Sequence, residues 1–368
     1  MQSQAATPVR YDPAVETLQP GEPETIEAII WAMRSIMAKT LERDGQARRP
    51  SHAKCHGVLA GTLSVLDGLE APLAQGLFAL PRNYDVIARL AHVPGEILKD
   101  AGGPSGPRGM SLKIFGVEGE KLPGHEGRST QDFVLDTGKV FPASDARTFL
   151  GVIRGLDAAT RAPEGLKAAV SATARGAHAV LSAAGVESAN LDFFGHPAFH
   201  PLAEPYFSQA PLRYGDYIAR LGVFPASRPL EEIAGQTMPL GEDPDALRHM
   251  VEAYMEARPA EYEIRVQLCT SLERMPIEDA HAAWDEAESP FRPVARLLFP
   301  PQSPPSAQRW SHVEDALSFS PAHSLEAHRP LGSVMRARLR AYPLIAADRR
   351  RAQNASLEEP DGLDDIPA

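Results

Sequence analysis

Apolar positions along the 368-residue chain change their spacing several times, and each change predicts an element. Over residues 25–42, Ile26, Ile29, Ile30, Met33, Met37 and Leu41 fall close to a helical stripe, and Asp44-Gly45 follows as a stop signal. This predicts an amphipathic helix. Residues 57–65 and 110–117 read as strands, the second alternating apolar and polar positions as a half-buried strand does. Shorter strand candidates cover 133–135, 218–224, 262–268 and 294–299, with EYEIRVQL alternating most regularly. Helical spacing returns over 145–158, 165–184, 243–257 and an Arg-rich stretch at 332–354. Separated strands with helices between them favour an antiparallel barrel, and no internal repeat is visible. Residues 1–22, rich in Pro, Gln and Glu, read as an extended arm. Residues 23–355 read as one domain, and the acidic residues 356–368 as a disordered tail.

Composition narrows the function. The 34 prolines fit many loops and strand ends. The net charge is −11, and the arginines are scattered among acids, so a phosphate backbone meets no basic stripe and nucleic acid is not an expected partner. The start has no leader pattern and no run reaches membrane-spanning length, so a soluble, cytoplasmic protein is expected. Cys55 and Cys269 are the only cysteines, too few for a disulfide framework or a four-cysteine metal site.

Two segments carry candidate chemistry. In RARLRAYPLIAADRR a spacing of four puts Arg338 and Tyr342 on one helix face, where a guanidinium reaches a phenol oxygen. A phenol ionises at about 10, so its use as an iron ligand near neutrality needs the metal charge and a fixed cation. On a solvated helix the same pair is ordinary surface. In RPSHAKCHG, His52, Cys55 and His56 offer imidazole and thiol groups close together, a small metal site being one reading. An extended strand, however, turns Cys55 away from the two histidines.

Together the two segments resemble catalases. RLRAYP followed by arginines resembles the proximal haem segment of that family, which implies Tyr342 as the iron ligand, Arg338 contacting its oxygen and Arg349 on a haem propionate. RPSHAKCHG resembles the distal segment, implying Arg49 as a propionate anchor and His52 as the histidine above the iron that shuttles a proton between peroxide oxygens. ARL at 88–90, PRGMSLKIF and TQDFVLDTGKVFP follow in family order, giving Arg89 as a further propionate anchor and Phe141 as a wall of the porphyrin pocket. YFSQAPLRYGDYIARLGVFP and WDEAESPF extend the resemblance, which covers residues 45–355. Two positions depart from it: Ala91 replaces a serine that orients the distal histidine, and ungapped alignment puts Arg128 where the family has a peroxide-binding asparagine.

The resemblance implies an α+β fold, an antiparallel eight-stranded barrel with surrounding helices, without the appended C-terminal domain of typical catalases. It implies haem b, since no Cys-x-x-Cys-His is present for covalent attachment. The expected activity is that of a catalase or peroxidase oxidising its haem with hydrogen peroxide or an organic peroxide, an organic electron donor being a further substrate. Alternatives are rearrangement of fatty hydroperoxides, as in allene oxide synthases, and a haem-binding or sensing protein with little turnover. A homodimer is the expected assembly.

Overall fold

The structure, a computed structural model, describes residues 7–103, 105–183, 194–356 and 358–367. Among the described residues, nine antiparallel strands run in chain order: β1 (Lys54–Val65), β2 (Asn83–His92), β3 (Arg108–Ile114), β4 (Gln131–Asp136), β5 (Tyr206–Phe207), β6 (Leu212–Tyr214), β7 (Tyr217–Pro225), β8 (Ala260–Leu268) and β9 (Arg292–Phe299). They follow the order β5-β4-β3-β2-β1-β9-β8-β7, and Tyr206 pairing with Val223 joins β5 to β7. That closes an eight-stranded barrel and removes its edges, while β6 adds a hairpin to β7. The α+β barrel expected from the sequence is therefore present.

The expected strands sit at their expected places, most with longer ends, although the strand expected over 110–117 stops at Ile114. β2 escapes the sequence pattern because both faces of its second half are buried, which erases the alternation. β5 and β6 are too short to show a period. Inside the barrel, Leu63, Leu90, Leu112, Leu135, Val223 and Ile264 belong to one apolar core.

The helices with described bounds are α1 (Glu22–Asp44), α2 (Ala146–Ala159), α3 (Glu164–Ala183), α4 (Arg228–Ile233), α5 (Ala246–Ala257), α6 (Ala307–Ser311) and α7 (Ser333–Ala352). Ala184, the last residue of the helix expected over 165–184, lies outside the described residues. The stripe of α1 buries Ile29, Ile30, Met33 and Ile36 against Phe149 and Ile153 of α2 and Ala337 and Ala341 of α7, forming a second core beside the barrel. No helix among the described residues is long and apolar enough to cross a membrane.

Both chain ends are packed where they are described. In the arm, whose first six residues lie outside the description, Val9 N–H donates to the Cys269 carbonyl and Tyr11 N–H to that of Asp216. The tail corrects the expectation of disorder, apart from residues 357 and 368, which are not described. Ile366 is buried, and Glu359 joins Arg350, Ser318 and Lys113. The acidic composition that suggested disorder supplies the carboxylate that these cations hold.

Closure of the barrel depends on a close approach at Gly61, where an added Cβ would lie 2.3 Å from the Leu298 carbonyl oxygen and 2.6 Å from the Phe299 ring. Gly61→Ala should therefore lower the urea stability by about 1–3 kcal/mol, the usual range for overpacking. An unchanged urea midpoint would show that β1 and β9 separate freely here.

Candidate functional site

The barrel's outer face builds one wall of a cavity of about 790 Å³. Side chains alternate along a strand, so Leu90, Met110 and Leu135 point inward while Arg89, Ala91, Gly109, Ser111, Val134 and Asp136 face the cavity. The opposite walls come from Met33 of α1, Phe149, Val152, Ile153 and Leu156 of α2, and Arg338 and Tyr342 of α7. Residues far apart in sequence thus meet because α7 and α2 lie across from β2, β3 and β4.

On α7 the expected pair forms. Arg338 Nη2 donates to the Tyr342 hydroxyl at 3.1 Å, and its guanidinium lies 5.1 Å from the Tyr342 ring centre. The same guanidinium is 5.9 Å from the Phe141 ring, which packs edge-on against Phe149 at 5.2 Å. An aromatic wall and a cation-bonded phenol therefore stand together at the cavity.

Arg49, Arg89 and Arg349 converge although they come from the loop before β1, from β2 and from α7. Their meeting point is Glu314, in a π-helical turn over His312–Ala316. Arg89 Nε donates to Glu314 Oε1 at 2.6 Å and its Nη2 to Oε2 at 3.1 Å, while Arg49 Nη1 reaches Oε1 at 3.2 Å. Arg49 also donates to the carbonyls of Val313 and Leu317, and Arg349 to those of Glu314, Asp315 and Leu317. Arg49 and Arg89 open onto the cavity; Arg349 lies behind the turn and is not among the lining residues.

Charge in this cluster is unbalanced. Burial opposes ionisation of Glu314, but Arg89 and Arg49 outweigh it and hold its carboxyl at about 2. Burial and repulsion by Arg89 and Arg349 push the Arg49 guanidinium well below its ordinary value, and burial lowers Arg349 to about 10. Three cations around one carboxylate leave a surplus that a further anion at the cavity would relieve.

His52 lies at the barrel wall with a left-handed backbone, φ 54°, sparsely populated by non-glycine residues and found often at functional sites. Its Nδ1 is 3.0 Å from Ser51 Oγ and its Nε2 3.0 Å from Asp136 Oδ2. The second approach is close but poorly angled, leaving Nε2 without a formed hydrogen bond. Asp136 escaped the sequence reading; the only signal was the alternation of DFVLD, which puts Val134 and Asp136 on one strand face.

Arg128 requires correction. It is exposed in the turn that precedes β4, where its N–H donates to the His125 carbonyl, and it does not line the cavity. The alignment placed it near His52, but the pairing of Gly109 with Asp136 brings the far end of β4 there instead.

The HAKCH cluster also separates. His56 occupies a register irregularity between Cys55 and Gly57 and turns to His92, with His56 Nε2 2.5 Å from His92 Nδ1. Burial, followed by nearby positive charge, holds both well below the ordinary histidine value, so they are neutral. Cys55 packs elsewhere, its thiol pushed up to about 12 by burial. Among the described residues, His56, His92 and Asp100 come within 4.8 Å of one another, but Asp100 accepts from Lys54 Nζ at 2.8 Å and from Leu247 N–H at 3.0 Å. The ammonium beside it disfavours a metal ion.

No family model matches the chain, and no curated protein does. Among solved structures, a fungal catalase and catalase A from Saccharomyces cerevisiae each align with a TM-score of 0.58 at 17% identity, over 86% of this chain. A bacterial catalase aligns with a TM-score of 0.54 at 16% identity over the same share. These alignments cover 62%, 63% and 60% of the respective catalases, so the chain spans about three fifths of their length. The likeness shows a catalase-like fold.

Glu314 gives this site a measurable pH dependence. Because its folded value of about 2 lies below the ordinary 4.5, its stabilising effect is present above pH 4.5 and lost as pH falls from there through 2. Glu314→Gln should cost about 3–5 kcal/mol near neutrality, as for breaking a buried ion pair, and its deficit relative to wild type should shrink across that acid window. Thermal midpoints of both proteins measured against pH check this. A deficit independent of pH would mean that Glu314 acts by packing alone.

Proposed function

We propose that the chain is a haem-dependent oxidoreductase using peroxide as oxidant, with haem b in the cavity between the barrel and α7. The observation that carries this reading is the convergence on one cavity of a phenol bonded to an arginine, a histidine on the facing barrel wall, and an arginine cluster with surplus positive charge.

The residues fit that group chemically. Tyr342 is the candidate iron ligand, with Arg338 stabilising the anionic form of its oxygen. Arg49 and Arg89 are suited to carboxylate side groups because a guanidinium is a permanently charged, forked donor, and Arg349 fixes the turn between them. Phe141, Phe149 and Val152 supply an apolar wall. Bound haem would supply the redox chemistry, with an anionic tyrosinate favouring O–O cleavage.

The chain's own contribution to the reaction is proton handling. His52 Nε2, with no formed hydrogen bond, accepts the proton from the nearer peroxide oxygen and returns it to the departing one, which leaves as water or an alcohol. Ser51 at Nδ1 orients the ring, a task that Ala91 cannot perform because it has only a methyl group. The balance between catalase turnover and use of an organic donor rests on this altered distal side, and weaker oxygen release than in full-length catalases is expected.

Three variants separate these roles. Tyr342→Phe should strongly reduce haem retention, Arg338→Ala should retain haem with an altered ferric spectrum, and His52→Ala should retain haem but slow peroxide cleavage by about a hundred- to ten-thousand-fold. Absorption spectra and stopped-flow peroxide reactions measure all three. Unchanged haem content in Tyr342→Phe would remove the proposed ligand, and normal cleavage in His52→Ala would remove the proton shuttle.

A further inference from the structure

The seat of His52 is a row of three neighbouring residues across the barrel wall. Ala91 of β2 pairs with Gly109 of β3, and Gly109 pairs with Asp136 of β4; all three line the cavity. The middle position must be small, because an added Cβ at Gly109 would come within 2.8 Å of His52 Cδ2 and 3.0 Å of Nε2. The imidazole therefore lies over Gly109, with a methyl group in the row on one side and a carboxylate on the other.

That carboxylate is short of cations. Asp136 Oδ1 accepts from the Thr137 N–H at 2.9 Å, and its only ion-pair partner among the described residues is His52. Glu204, another carboxylate of the cavity lining, is bonded by both Arg108 and His196. The arginines at the Glu314 turn are held by that carboxylate and by backbone carbonyls. Asp136 is thus a negative charge directed at the space beside His52.

We propose that Asp136 is a positioning residue for His52 and a charge filter that selects uncharged hydroperoxides over those carrying a carboxylate. This rests on the cavity's being the peroxide site proposed above. Its oxygen lies 3.0 Å from Nε2 with no hydrogen bond formed between them, so it holds the edge of the imidazole without engaging the nitrogen's lone pair. With the Arg49 and Arg89 surplus met by the carboxylates of bound haem, a further negative charge entering beside His52 would be repelled by Asp136. At separations of several ångströms and an effective dielectric constant well above that of dry protein, the penalty is about tenfold in affinity. Hydrogen peroxide and alkyl or aryl hydroperoxides carry no such charge.

The test uses haem-loaded protein and two unreactive alcohols of similar shape, 2-phenylpropan-2-ol and its 4-carboxylate, with binding read from the haem absorption band. Wild type should bind the uncharged alcohol about tenfold more tightly, with the preference shrinking at high salt. Asp136→Asn should abolish the preference and Asp136→Glu restore much of it. In steady state, the corresponding cumene hydroperoxides should differ in KM more than in kcat for wild type, and the difference should vanish in Asp136→Asn. Equal binding of the two alcohols by wild type overturns the proposal even if neither variant folds, as does an undiminished preference in haem-loaded Asp136→Asn. Failure of wild type to take up haem would instead overturn the site reading beneath it.

Discussion

The ion cluster at Glu314 is the constraint on which the rest of the site depends. Arg49, Arg89 and Arg349 reach it from three separate parts of the chain, and the 313–317 backbone carbonyls accept what the carboxylate does not. Burying such charges costs several kcal/mol per ion unless each is paired and hydrogen-bonded, so the π-helical turn is fixed as much by the arginines' demand for acceptors as by its own sequence. That turn connects the barrel wall to α7, and α7 carries Tyr342. The distance between the phenol and His52 is therefore governed by an electrostatic contact that neither residue makes.

The packing keeps charged and apolar parts of the site apart. The barrel's interior core and the α1–α2–α7 core are both filled, and the cavity lies between them instead of inside either. Strand alternation allows this arrangement: β2, β3 and β4 contribute large aliphatic side chains inward and Arg89, Gly109 and Asp136 outward. Small residues on the outward face leave room for ligand and imidazole, while closure of the barrel makes the wall rigid. The docked tail continues the scheme, because Glu359 brings acceptor oxygens to Lys113 and Arg350.

Local spacing made the helices, most long strands and the Arg338–Tyr342 pair legible, since an i,i+4 contact needs only a helix to form. The segment around His52 was legible through its motif. β2 was not, because burial on both faces removes the period on which a strand reading depends. Asp136 became visible only through its register with Gly109, and Arg128 was misplaced for the same reason: an alignment without gaps carries no information about where a turn ends and a ladder begins. Glu314 was hidden because its significance lies in three arginines distant in sequence. Acidic composition suggested a disordered tail, but a buried cation reverses that inference wherever it supplies a partner.

The central claim is that this cavity holds haem through Tyr342. Its most direct measurement is the absorption spectrum of wild-type protein purified after haem supplementation, combined with acid–acetone extraction and a count of haem per chain. A strong Soret band of tyrosinate-bound ferric haem and one extractable b-type haem for each polypeptide are expected. A protein that remains without porphyrin absorption under those conditions would contradict it.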